Sequence, residues 1–227
     1  MLVIFHPNTT ITVSVVKVDL RWKHPFSAIV AGPSGSGKSH FVTRFIANVN
    51  EMCDTNFENI YWHHHAGVIR SDISIVQYKT GSPSMEDFDG SVPNLIIIDD
   101  MMRETDANIV DLFTKGCHHR NLSVFFITQN LFHQGRGQRD ISLNAHYIVF
   151  FKNPRDRAQI RYLARQIYPD NPKFIEEAYV DATRDPHGYL LIDLKQSTPE
   201  EMRIRTTVFP DDKVNFVYLP KQKKVYQ

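Results

Sequence analysis

The chain has 227 residues, 42% of them apolar, and 26 Lys and Arg against 25 Asp and Glu give it a formal charge of +1. This composition suits one ordinary domain with a sizeable core and excludes a disordered tail, while the even charge excludes a global basic field that would hold nucleic acid non-specifically. Two cysteines, Cys53 and Cys117, exclude a disulfide scaffold, and the longest apolar runs, Leu95 to Ile98 and Tyr147 to Phe151, are too short to cross a bilayer. The N-terminal residues show neither a basic n-region nor a long apolar stretch, so no secretory signal is expected. The setting is read as intracellular and reducing, without a membrane partner. Any contact with DNA must come from a local patch, or from a ring of subunits that concentrates one.

In chain order, Thr10 to Leu20 alternates with one phase slip at Val16, which reads as a strand with a bulge or two short strands. Ala28 to Ala31 is apolar without alternation, as in a strand buried on both faces. A Gly/Ser/Pro loop follows, and then Phe41, Val42, Phe45, Ile46 and Val49 at helical spacing. Asn59 to His63 reads as a short strand. Ser71 to Pro93 reads as a polar surface excursion with a minor strand around Ile73 to Val76. Leu95 to Ile98 is a second fully buried strand, ending at Asp99 and Asp100, and a helix with Ile109, Val110 and Phe113 on its apolar side stops near Gly116.

Ser123 to Ile127 is a strand ending in Thr128-Gln129-Asn130. Leu131 to Asp140 reads as a polar Gly/Arg loop, and Tyr147 to Phe151 as a further buried strand. Asn153 and Pro154 give a helix start signal before Ile160, Leu163, Ala164 and Ile167, and Asn171-Pro172 repeats it before Phe174, Ile175, Ala178 and Tyr179. Strand-like segments at Tyr189 to Leu194, Met202 to Phe209 and Val214 to Leu219 close the chain. Buried strands alternating with helices predict an α/β fold with a mainly parallel central sheet, and the N- and C-terminal strands join as edge additions. The expected organisation is one domain over residues 1–227, with a core at about 24–170, N-terminal strands in 10–20 and C-terminal strands in 188–219.

The strongest motif is Gly32-Pro33-Ser34-Gly35-Ser36-Gly37-Lys38-Ser39, which matches G-x-x-x-x-G-K-[ST] between a buried strand and a helix. Its glycines let backbone N–H groups point into a nest around phosphate oxygens, and the helix N-terminus adds positive potential. Lys38 would reach the β and γ phosphates of ATP, and Ser39 would offer an oxygen to Mg²⁺; His40 completes the cradle. The second motif, LIIIDD, ends a buried strand in two acids: Asp99 for Mg²⁺, Asp100 to polarise the attacking water. Capping the following helix is the other use of such an Asp. Gln129, at the end of another buried strand, suits a γ-phosphate sensor.

Among the arginines, Arg120 is favoured as a finger inserted into a neighbouring subunit's site. Arg136 and Arg139 are rivals for that role, or contacts to the DNA backbone. His63-His64-His65 and His118-His119 lack metal-ligand spacing, since neighbours along a strand point to opposite faces.

The order of phosphate loop, DD-ended strand and TQ-ended strand resembles the FtsK–HerA superfamily of ring-forming DNA-pumping ATPases. Within it, HPFSAIVAGPSGSGKS, LIIIDDMM, KGCHHRNLSVFFITQNLFHQGRGQRDIS, NAHYIVFFKNPRD and YLLIDLKQSTPEE look most like poxvirus-type genome-packaging ATPases, especially those of Polinton/Maverick elements and adintoviruses. These segments span about residues 24–200. The resemblance implies a P-loop NTPase core of the RecA-like, additional-strand type, a homo-oligomeric ring with six subunits expected, and ATP-driven movement of double-stranded DNA into a viral capsid or procapsid. It carries over Lys38, Ser39, Asp99, Asp100 and Gln129. Asp100 stands where the wider superfamily has Glu, and Arg120 stands slightly after that superfamily's Arg position. Two other readings stay open: a nucleotide or small-molecule kinase, and a module that ATP assembles without motor activity.

Overall fold

The computed structural model describes residues 2–5, 12–13, 19–65, 73–99, 101, 107–117, 120–132 and 138–221. Its strands are β1 (Leu2–Phe5), β2 (Thr12–Val13), β3 (Ser27–Ala31), β4 (Asn59–His64), β5 (Val76–Thr80), β6 (Asn94–Asp99), β7 (Leu122–Thr128), β8 (Tyr147–Phe151), β9 (Tyr189–Asp193), β10 (Ile204–Thr206) and β11 (Asn215–Tyr218). Its helices are α1 (Lys38–Ala47), α2 (Val49–Met52), α3 (Ala107–Asp111) running into a π-helical turn at Leu112–Gly116, α4 (Gln138–Asn144), α5 (Ala158–Ile167) and α6 (Pro172–Ala182).

These eleven strands form one sheet in the order β2-β1-β11-β10-β9-β8-β3-β7-β6-β4-β5. The six from β8 to β5 are mutually parallel. Beyond β8 the sheet continues antiparallel through β9, β10 and β11; β1 joins parallel to β11, and β2 closes the edge antiparallel. The expected architecture, a parallel sheet with terminal strands added at its edge, is the one observed. Strand β7 lies between β3 and β6, so an additional strand separates the glycine-loop strand from the acid-ended strand.

Every residue of β3, β6, β7 and β8 is buried, because helices cover both faces. On one face, Phe41, Val42, Phe45 and Ile46 of α1 pack on Ala28, Val30, Leu95, Ile97, Phe125 and Ile127. The other face carries Ile29, Ile96, Ile98, Val124 and Phe126 under Ile109, Leu112 and Phe113. Trp22 closes the α1 side, stacked on Tyr147 at 4.1 Å and edge-on to Phe26 and Phe45. Each such side chain contributes about 1.5–3 kcal/mol by leaving water.

Several expectations shift. The minor strand begins at Val76, not Ile73, because Val76 N–H donates to Ile73 O in a turn. It is the parallel edge strand beside β4, where one side stays wet and the sequence alternates. Asn153 does not cap α5: its Oδ1 accepts from Arg155 N and Asp156 N, making a turn, and Asp156 Oδ1 then accepts from Ala158 N at the helix start. The polar loop after β7 ends at Gln138, where α4 begins. Strand β10 is shorter than expected, since Met202 sits in a 3₁₀ turn and Thr207 has φ 50°. Within 10–20 only Thr12–Val13 is strand among the described residues; 14–18 lie outside them.

Candidate nucleotide site

Strand β3 stops at Ala31, and Gly32 N–H donates to Thr128 O at 3.2 Å, tying the loop to β7. A side chain at Gly32 would meet Phe151 Cβ at 2.6 Å and Ser36 Oγ at 2.8 Å, so the backbone passes closer to β8 than a Cβ allows. Gly35 (φ 75°) and Gly37 (φ 105°) adopt left-handed conformations that turn the chain into α1. Phe41 N–H donates to Gly37 O, which closes the first turn. The ten-residue helix therefore turns its N-terminal end to the loop, with Lys38 and Ser39 as its first two residues and His40 exposed beside them.

Lys38 Nζ donates to Gly32 O at 2.7 Å and Pro33 O at 2.9 Å, so its ammonium spans the loop. From behind, His187 Nδ1 lies 3.1 Å from Ser36 O. Ser34 and Gly35 are exposed at the tip, and Ser36 Oγ is buried without a hydrogen-bond partner among the described residues. A cradle of N–H groups, one ammonium and an orphaned hydroxyl fits a triphosphate.

Asp99 ends β6 on the α1 face, following Leu95 and Ile97 and paired in register with Ile127. It is buried, and the Trp62 indole Nε1 on β4 donates to its Oδ2 at 3.2 Å. Ser39 and Asp99 are hard oxygen donors from two elements. The described residues hold no group of three or more His, Cys, Asp or Glu able to bind a metal alone. That donor set suits Mg²⁺, which keeps waters and takes the rest of its shell from substrate phosphates.

Gln129 follows β7 directly and is exposed. Because β7 lies between β3 and β6, Gln129 stands at the same sheet edge between the phosphate loop and Asp99. Its loop is anchored from below: Leu131 N–H donates to Gln159 Oε1 at 3.1 Å, and Gln159 Nε2 donates to Asp156 Oδ2 at 2.9 Å. The sequence reading missed Gln159; the signal was a polar residue one turn before Leu163 on the apolar side of α5, where it is 6% exposed. Trp62 and His187 were missed as well. Nothing in the alternation of β4 marks Trp62 as a partner of Asp99.

Asp100, Arg136, His118 and His119 lie outside the described residues. Arg120 precedes β7, with its N–H on Gly116 O, and so sits at the end of the sheet opposite Lys38. Seven strand residues at about 3.3 Å each put that end beyond reach of its own phosphate loop. Arg139 is exposed in the first turn of α4. His63 donates from Nδ1 to Gly81 O at 2.9 Å and His64 from Nδ1 to His65 O at 2.8 Å, so both rings are turned to backbone carbonyls.

No protein-family model and no curated protein matches the chain. Solved structures do. The genome packaging NTPase B204 of Sulfolobus turreted icosahedral virus 2, in complex with sulfate, superimposes with TM-score 0.52 at 14% identity, over 80% of this chain and 95% of that one. The same protein in complex with AMPPCP gives 0.52 at 12% identity, over 87% and 98%. B204 of Sulfolobus turreted icosahedral virus, described as a DNA-packaging ATPase, gives 0.52 at 12% identity, over 81% and 97%. At these identities the likeness is one of fold: the chain has the P-loop NTPase fold, with a mostly parallel central sheet and antiparallel edge strands.

Proposed function

We propose that this chain is an ATP-hydrolysing subunit of a ring motor that moves double-stranded DNA into a viral capsid. The carrying observation is the order along one sheet edge: phosphate loop on β3, Gln129 on β7, Asp99 on β6. A kinase needs the first and last of these, whereas a polar sensor between them suits attack by water. The fold shared with packaging NTPases in complex with ATP analogues supports the same reading. The segments that resemble poxvirus-type packaging ATPases make that branch our proposed placement, with one ATPase domain over 1–227, six subunits to a ring, procapsid protein as a partner, and the infected cell as the location.

In this reading Lys38 leaves the two loop carbonyls and neutralises the β and γ phosphate oxygens as they enter the nest. Loop and α1 N–H groups hold those oxygens, and Ser36 Oγ gains the partner it lacks. Ser39 and Asp99 would hold Mg²⁺, which would supply positive charge to the phosphates. Trp62 fixes the Asp99 carboxylate. Asp100 takes the proton of the attacking water, and Gln129 orients that water. Arg120, remote from its own loop, serves the neighbouring subunit's site, and Arg136 and Arg139 meet DNA phosphates.

The test compares ATP hydrolysis by wild type and Lys38→Ala, with and without duplex DNA. Turnover raised by DNA and lowered about 10²–10³-fold in the variant is expected, the size typical of removing one transition-state donor. Turnover indifferent to both DNA and procapsids would end the motor reading.

A further inference from the structure

Helix α5 has two contrasting sides. Its inner side buries Gln159, Ile160, Leu163 and Ala164 and, through Gln159, holds the Gln129 loop. Its outer side carries Arg157, Arg161 and Arg165, four residues apart, all exposed, with Tyr162 alongside at 61% exposure. Four-residue spacing repeats a side chain every ~6 Å along the axis. Segment 152–165 holds five cations and one acid, a net +4 in a chain whose formal charge is +1, so the remaining residues sum to −3.

The single acid does not offset the row. Asp156 turns inward, one oxygen on Ala158 N and the other on Gln159 Nε2. Among the described residues Arg161 has one ion-pair contact, to Glu176 at 3.5 Å with both side chains solvated, which is worth little. Arg157 and Arg165 have no ion pair among the described residues. Arg157 also occupies the N-cap position of α5, where a cation opposes the helix dipole. The helix itself contains no acidic residue. The first two arginines open into a cleft of about 760 Å³ between α5 and α6, on whose far bank Lys173 and Arg184 are already paired with Glu177 and Asp181, so the uncompensated charge lies on the α5 side. An unneutralised row of this kind repels itself and favours an external polyanion.

We infer that the outer face of α5 is a contact surface for the phosphate backbone of duplex DNA, with Arg157, Arg161 and Arg165 as the phosphate ligands. A repeating polyanion fits a repeating row: each DNA strand offers a phosphate per 3.4 Å of axis, and guanidinium groups pair with phosphate oxygens in a fork that lysine cannot form. Tyr162 brings a hydroxyl able to donate to a phosphate between two of them. The row reads no base, so it suits a protein that must hold any sequence. The inference rests on the DNA-motor reading and adds a place of contact to Arg136 and Arg139. It also puts the bound backbone one helix away from the sensor loop.

The test is binding of a labelled DNA duplex across about 50 to 200 mM salt. Wild type is compared with the triple Arg157→Gln, Arg161→Gln, Arg165→Gln, with the matching triple to Lys, and with a charge-matched control, Lys115→Gln, Lys213→Gln, Lys221→Gln. Removing one phosphate ligand lowers the slope of log K against log salt by about 0.9. The Gln triple is expected to drop by close to three such steps, with DNA-free ATP turnover kept, while the Lys triple and the control keep the wild-type slope. Should wild type bind duplex and the Gln triple show the same slope, the surface assignment fails and the motor reading stands. Absence of any binding by wild type removes both. If the Gln triple keeps the slope but loses DNA-free turnover, the row serves a neighbour's nucleotide and the inference is overturned.

Discussion

The six parallel strands and the antiparallel strands β9, β10 and β11 bury their residues by different rules. In the parallel half, β3, β6, β7 and β8 are apolar through their middles, and their buried polar residues gather towards the two ends, Ser27, Asn94 and Ser123 at one and Asp99 and Thr128 at the other. In the antiparallel half a charge pair is buried inside the sheet. Arg205 on β10 and Asp193 on β9 are 4% and 5% exposed and meet at 2.6 Å, with Thr198 Oγ1 and Lys195 N also on the Asp193 carboxylate. Burial pushes the Asp193 carboxyl up and the Arg205 guanidinium down, so for both groups desolvation outweighs the pairing. The pair therefore specifies how β9 and β10 meet more than it stabilises them. Among the described residues, the parallel half carries its one buried carboxylate at the strand end that faces the candidate site, while the antiparallel half buries a charge pair between two strands.

The sharpest break of that contrast is Arg205→Ala. It leaves Asp193 charged and unpaired in the interior, and is expected to cost ~3–5 kcal/mol in denaturant unfolding. The double change Arg205→Met, Asp193→Leu is expected to recover most of it. A single variant losing under ~1 kcal/mol would mean that water reaches the pair and that the two halves do not differ as described. Turnover per folded molecule is expected to stay at wild type, since no part of the pair reaches the phosphate loop.

A mid-sized effect separates the chemistry edge from its support. Gln159→Leu removes the acceptor for the buried Leu131 N–H, at a cost of ~1–3 kcal/mol in stability. If Gln159 positions the sensor, kcat is expected to fall about tenfold, the equivalent of ~1.4 kcal/mol, with KM for ATP unchanged. Equal loss in kcat and in nucleotide affinity would reduce Gln159 to a fold residue. Gln159→Glu, which keeps the acceptor, is expected to retain more kcat than Leu.

How much was legible in the sequence follows the same divide. Ala28 to Ala31, Leu95 to Ile98 and Tyr147 to Phe151 read directly as strands because burial on both faces leaves no polar residue to confuse the pattern. The loop from Gly32 to Ser39 read directly because its motif is contiguous and its glycines answer local needs, a close approach to Phe151 at Gly32 and positive φ at Gly35 and Gly37. Strand β1 was not anticipated: Leu2–Phe5 is only four residues long, and one of its two partners, β11, is over two hundred residues away. Helix α4 hid within a polar Gly/Arg stretch and packs by few apolar residues, Ile141 among them. Arg120 could be named as a candidate finger, but its end of the sheet depends on the direction of β7, which no local pattern carries. Trp62 and Gln159 act through partners 37 and 28 residues distant, on other elements.

The smallest expected effect lies at the other end of the parallel strands, away from the chemistry. His24 joins β3 to β7 there: Nδ1 lies 2.7 Å from Ser123 Oγ and Nε2 lies 2.6 Å from Asn121 Oδ1. Asn121 Oδ1 can only accept, which puts a hydrogen on Nε2, and in the neutral ring Nδ1 then accepts from the Ser123 hydroxyl, whose oxygen also accepts from Phe26 N–H. Burial lowers the His24 pKa below its ordinary value, opposed by the Asn121 hydrogen bond and by Asp54, and assisted by Lys195. The unfolded chain then binds more protons than the folded one between the lowered value and about 6.5. Stability is full above that window and falls as pH drops through it. Buried His63, lowered for the same reason, adds to the slope, so His24→Gln is expected to flatten it only in part. Melting curves taken across the window check this. A slope unchanged in His24→Gln would show that the ring is as well solvated when folded as when unfolded, and that this end of the strands, unlike the phosphate-loop end, shields no titrating group.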